Sequence, residues 1–126
     1  ELAGASDILL VACEGGAANR GLINGAVLTA LGPDGFLINT ARGPIVDQPA
    51  LVVALRDGTI AGAALDVFDG EPAVPEELMA MENVVLTPHI ASSTHETRRA
   101  MGDLVYDNLR NHFDGKPVLT PVPPQK

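Results

Sequence analysis

Apolar residues in this chain fall into short runs broken by Gly, Pro, Asn and Asp, and two periodicities alternate along it. Ile8-Leu9-Leu10-Val11-Ala12-Cys13 is continuous, the pattern of a strand buried on both faces, and Gly15-Gly16 ends it. Asn24-Gly25 opens a short helical stretch carrying Val27, Leu28 and Leu31, and Gly32-Pro33-Asp34-Gly35 is a turn. Phe36-Leu37-Ile38-Asn39 is a second strand. Asp47 then caps a helix with Pro49 in its first turn, Leu51, Val52 and Leu55 on its apolar face, and Gly58 as its stop. Residues 60–67 form a third strand in which Ala61, Gly62 and Ala63 leave room for a helix or a ligand. After an acidic, Pro-containing loop, Val84-Val85-Leu86-Thr87 is a fourth strand ending at Pro88. Alternating strand and helix signals predict βα units and a mostly parallel sheet.

The last element has a different character. Ser93 and Glu96 have capping-box spacing, and Met101, Leu104, Val105, Leu109 and Phe113 recur at helical spacing up to Gly115. The pattern predicts a helix of about 18 residues, then a proline-rich, extended tail from Lys116 to Pro124.

Composition narrows the function. A chain of 126 residues, 46% of them apolar, is one folded domain rather than two. A net charge of −8 opposes binding to nucleic acid, and no apolar run is long enough to span a bilayer. The single cysteine, Cys13, forms no internal disulfide; it is expected to be a small core residue in a reduced, cytoplasmic setting. The sequence lacks His and Cys at metal-ligand spacing, a Walker sequence and a Ser nucleophile elbow.

Ionisable residues stand at three strand ends. Parallel α/β sheets bind ligands outside the carboxyl ends of their strands. Arg42 follows Asn39-Thr40-Ala41, Glu71 lies in the loop after Ala64-Leu65-Asp66-Val67-Phe68, and His89 follows Thr87-Pro88. A guanidinium forks onto a carboxylate, an imidazole donates and recovers a proton near neutrality, and a neighbouring carboxylate orients it and favours its charged form. Those are the parts needed to reduce a 2-oxo acid. Each also has a plainer reading: Arg42 in a surface salt bridge, His89 hydrogen-bonded in the core, Glu71 as one solvated acid among Glu76, Glu77 and Glu82. His95 and His112, on the long helix, are expected to be structural or exposed. Asp66, inside an apolar run, needs a donor; a nicotinamide carboxamide is one candidate and a backbone amide is the other. The glycines at 15, 16 and 21 do not form the Gly-x-Gly-x-x-Gly turn of a dinucleotide site.

The stretch from Asn39 to Asp47, that from Gly62 through Phe68 to Glu71-Pro72, and that from Asn83 to Ile90 resemble the D-isomer-specific 2-hydroxyacid dehydrogenase family in order and spacing. The resemblance implies an α/β fold: the C-terminal half of a Rossmann-type parallel sheet plus a long C-terminal helix. It divides the chain into residues 1–92, the second half of an NAD(P)-binding domain, and 93–126, a helix and tail returning to a substrate domain. It implies Arg42, Glu71 and His89 as catalytic residues, and Cys13, Thr40, Ala41, Arg42, Asp66 and His89 around the cofactor. Leu10-Val11-Ala12-Cys13, Leu31-Gly32-Pro33-Asp34-Gly35 and the ending from Asn108 to Val122 look most like hydroxypyruvate and glyoxylate reductases, including plant-type enzymes that reduce hydroxyphenylpyruvate. Glu14 departs from the proline that many members carry there. NADP or NAD is the implied cofactor, with NADPH favoured, and the implied partners are a small 2-oxo acid and, for the complete chain, a second copy of itself. An alternative within the fold is a dinucleotide-sensing co-repressor that acts by binding. Without an initiator methionine or a glycine fingerprint, the sequence reads as a C-terminal fragment. By itself it is expected to be inactive, to bind cofactor weakly, and to expose an apolar sheet face as an association site.

Overall fold

In the computed structural model, which describes residues 1–123, the four apolar runs form one parallel sheet. Its strands are β1 (Ile8–Val11), β2 (Phe36–Asn39), β3 (Gly62–Leu65) and β4 (Val84–Leu86), hydrogen-bonded in the order β1-β2-β3-β4. Helix α1 (Gly25–Leu31) joins β1 to β2, α2 (Gln48–Arg56) joins β2 to β3, and a short α3 (Glu76–Met79) precedes β4. The long helix α4 (His95–Phe113) comes last. The chain divides after His89 into two compact units.

Local chemistry sets the boundaries. The Asn24 side chain accepts from the Val27 N–H at 3.1 Å and starts α1. Asp47 accepts from the Ala50 N–H at 3.1 Å and starts α2, with Pro49 in the first turn where its missing N–H costs nothing. Helix α4 begins one residue later than its sequence suggests. Thr94 is the cap, accepting from the Thr97 N–H, while the expected cap, Ser93, accepts instead from the Arg98 guanidinium. Glu76 and Glu77 supply the acidic first turn of α3, where the sequence suggests only a loop; fully buried Leu78 anchors it.

Leu9, Val11, Leu37 and Leu65 on one sheet face pack with Leu28 and Leu31 of α1 and Leu51 and Leu55 of α2. Each such leucine contributes about 1.5–3 kcal/mol by leaving water. The first strand is therefore not buried on both faces, nor does it reach residue 13. Ile8 and Leu10 are each 58% exposed, and Phe36 and Val85 are exposed on the same face. The reason is that α1 and α2 pack on one face of the sheet in this unit. Cys13, expected in the core, lies past the strand end and is exposed. Gly62 has the tight surroundings expected of it, but the neighbour is backbone: an added Cβ would lie 2.6 Å from the Asn83 carbonyl oxygen beside β4.

In the second unit, Asn108 of α4 accepts from the Leu119 and Thr120 N–H groups, and Asn111 donates to the Pro117 carbonyl, so the tail folds back along its own helix. His95 and His112 are exposed, as expected. Pro124, the end of the predicted extended tail, lies outside the described residues.

The register sets Val11 beside Asn39, Asn39 beside Leu65, and Leu65 beside Leu86. All four strands thus end along one edge of the sheet. Cys13, Thr40, Ala41, Arg42, Asp66, Glu71 and His89 all lie within a few residues past those ends.

Candidate active site

At the end of β2, buried Asn39 shapes the turn that presents Arg42. Its Oδ1 accepts from the Ala41 N–H at 3.1 Å, and its Nδ2 donates to the Arg42 carbonyl at 3.2 Å. An Asn side chain that bonds the backbone two residues on is a built-in turn. The sequence places Asn39 in the block but gives no sign of this role. Arg42 is exposed, and its Nη1 donates to the Ala41 carbonyl at 2.6 Å. Gly15 passes close above it: a Cβ there would sit 2.8 Å from Arg42 Cγ.

Past β3, Asp66 is buried, 5% exposed, and the Thr87 hydroxyl donates to its Oδ1 at 2.5 Å. One donor to Asp66 is therefore a side chain from the end of β4, which the sequence did not suggest. Thr87 also holds the bend that carries His89. Its N–H donates to the Leu65 carbonyl, and its carbonyl accepts from the His89 N–H at 3.1 Å across Pro88. His89 sits at φ 54°, in the left-handed region that non-glycine residues enter at a cost of roughly 1–2 kcal/mol.

Glu71 and His89 meet directly. Glu71 Oε2 lies 2.7 Å from His89 Nδ1, and Glu71 Oε1 accepts from the Phe68 N–H at 2.9 Å. The Glu71–Pro72 peptide is cis. Because an ionised carboxylate only accepts, Nδ1 must carry the proton of this bond, which leaves Nε2 outside it. The hydrogen bond from His89 holds the Glu71 carboxyl below its ordinary value of 4.5; the Phe68 N–H adds to this, burial opposes it, and the charges of His89 and Arg42 contribute least. Arg42 follows β2, the strand that pairs with β3, so it stands at the strand end next to the one that leads to Glu71. A hollow of about 160 Å³, lined by Phe68, Pro72, Val74 and Pro88, adjoins Glu71 and His89. The His89 and Glu71 side chains are 49% and 33% exposed, so the pair adds little to stability.

Its pH dependence has a definite sign. Glu71 binds its proton less tightly folded than unfolded. Any stability that the pair contributes is present above the ordinary carboxylate value and is lost as pH falls through the lower folded one. Carbon-13 NMR of the Glu71 carboxyl is expected to titrate with a midpoint below 4.5. A midpoint at or above that value would contradict the hydrogen-bonded geometry.

A parallel sheet with a guanidinium, a carboxylate–imidazole pair and a buried acid at its strand ends defines the class. The chain belongs to the D-isomer specific 2-hydroxyacid dehydrogenases: the model of their NAD binding domain matches residues 1–91. Hydroxyphenylpyruvate reductase of Plectranthus scutellarioides is 58% identical over 122 residues, covering 97% of this chain and 39% of that protein. Glyoxylate/hydroxypyruvate reductase A of Arabidopsis thaliana is 56% identical over the same shares of each. The NADPH-dependent glyoxylate/hydroxypyruvate reductase of Sinorhizobium meliloti, solved with NADP and malonate, superposes with a TM-score of 0.91 at 54% identity, over 96% of this chain and 38% of that one. The chain thus spans about two fifths of the length of these relatives. These likenesses give no support to the co-repressor alternative.

Proposed function

We propose that the complete protein reduces a small 2-oxo acid of the glyoxylate or hydroxypyruvate type to the D-2-hydroxy acid, with NADPH favoured over NADH. The contact that carries this reading is His89 Nδ1 on Glu71 Oε2 at 2.7 Å, with Arg42 at the end of the neighbouring strand β2. Arg42 binds the substrate carboxylate and draws electron density from the neighbouring carbonyl. His89 Nε2 gives its proton to the oxygen that becomes the hydroxyl. Glu71 fixes the imidazole ring and balances its charge.

The residues present suit the nicotinamide end of a dinucleotide. Asp66, just past β3, is the candidate partner of the carboxamide N–H, and Cys13, Thr40 and Ala41 lie just past neighbouring strand ends. When bound, the nicotinamide supplies the hydride. A glycine turn for the pyrophosphate is not among these residues. We further propose a cytoplasmic protein, consistent with one unpaired, exposed thiol at Cys13, that pairs with a second copy of itself.

The test is NADPH and NADH oxidation by the complete protein with glyoxylate, hydroxypyruvate and hydroxyphenylpyruvate. Turnover with at least one acid, faster with NADPH, is expected. No turnover with any acid and either cofactor would overturn the reading.

A further inference from the structure

We propose that Gln48 is a positioning residue that clamps the loop from which Glu71 reaches His89; this rests on the function proposed above. Gln48 is the first residue of α2, held in place by the Asp47 cap. Its Oε1 accepts from the Asp69 N–H at 3.1 Å, and its Nε2 donates to the Asp69 carbonyl at 3.5 Å. One side-chain amide thus engages both backbone groups of one loop residue. Only this orientation of the amide works, since the flipped one would face N–H to N–H and oxygen to oxygen.

The loop has a second hold on the same peptide. Gly43 packs so closely against it that an added Cβ would lie 1.9 Å from the Phe68 carbonyl carbon and 2.4 Å from the Asp69 nitrogen. The Phe68 N–H in turn donates to Glu71 Oε1, at the other end of that loop. Gly43 and Gln48, at either end of one short segment after Arg42, therefore hold the Phe68–Asp69 peptide, and with it Phe68, the residue whose own N–H bonds Glu71. Arg20 adds an exposed ion pair to Asp69 at 2.8 Å, of small energetic weight. The clamp needs a side chain that both donates and accepts. Glutamate would keep the bond from the Asp69 N–H but set a charged oxygen against the Asp69 carbonyl.

The experiment is a double-mutant cycle in the complete protein, joining Gln48→Ala with Glu71→Gln and including Gln48→Glu. Gln48→Ala is expected to lower kcat by about tenfold, short of the roughly hundredfold that a 1 Å misplacement can cost. KM for the 2-oxo acid should hold, because Arg42 is untouched. Gln48→Glu should also lower kcat. In the Glu71→Gln background the loss from Gln48→Ala should disappear, since there is no carboxylate left to place. In protein labelled with nitrogen-15 histidine, the low-field Nδ1 proton of His89 should weaken or shift in Gln48→Ala. An unchanged resonance with unchanged kcat, or a loss that adds in full to that of Glu71→Gln, would overturn the clamp. The resonance needs no substrate. If the wild-type protein turned over no 2-oxo acid while Gln48→Ala still altered that signal, the functional reading would fail and the clamp would stand.

Discussion

Replacing His89 by Gln in the complete protein is expected to lower turnover of a 2-oxo acid at least about a hundredfold, the low end for loss of a general acid. Gln keeps a donor that can reach Glu71 but has no proton to transfer, so KM for the acid should move little. One complication is the backbone: residue 89 lies at φ 54°, which a longer side chain without special tolerance resists. His89→Asn answers it, because Asn enters that region readily and is equally unable to transfer a proton. Comparable losses in both variants, with unchanged melting temperatures, would mark a chemical role. Near-wild-type turnover in either would remove His89 from the mechanism.

Gly43→Ala is expected to be the most damaging small substitution in the sheet unit. Its Cβ would fall 1.9 Å from the Phe68 carbonyl carbon and 2.0 Å from its oxygen. These are backbone atoms, so no rotamer change relieves the overlap, and the turn after β2 must move away from the loop after β3. That separation moves Arg42 relative to Glu71, so activity and stability should fall together. A loss of at least about 3 kcal/mol is expected, at the upper end for overpacking, with kcat reduced at least as much as in Gln48→Ala. Thermal unfolding and steady-state rates check it, and an unchanged melting temperature would show that the two segments do not pack this closely. Gly15→Ala is a useful contrast, because its overlap is with the Arg42 side chain at 2.8 Å, which can shift.

The sheet was legible in the sequence because each strand is a distinct apolar run. The four strands, in chain order, fall within the predicted stretches, α1 and α2 begin at their predicted caps, and α4 follows its predicted period from a cap one residue later. Less legible was which sheet face is covered. A run such as Ile8-Leu9-Leu10-Val11 is apolar at every position, so it carries no mark of which side chains belong to the apolar face expected to stay open; Ile8 and Leu10 do, while Cys13 is exposed because the strand stops at Val11. Helix α3 was hidden because one turn of helix has too few residues to show a period.

The site divides the same way. Arg42, Glu71 and His89 could be picked out because chemistry and strand-end position agree at each. Their supports could not, because they act across the chain. Thr87 meets Asp66, and Gln48 meets Asp69, in each case 21 residues apart in sequence. Gly43 matters for what lies opposite it rather than for its own φ. In the sequence it is simply a glycine before a proline.

The most direct measurement is a crystal structure of the complete protein with NADP and oxamate, an unreactive analogue of a 2-oxo acid. The oxamate carboxylate should lie on the Arg42 guanidinium, and its carbonyl oxygen should lie within hydrogen-bond distance, about 2.7–3.2 Å, of His89 Nε2, with Glu71 still on Nδ1. Oxamate bound away from Arg42, or His89 turned off Glu71 in the complex, would contradict the site.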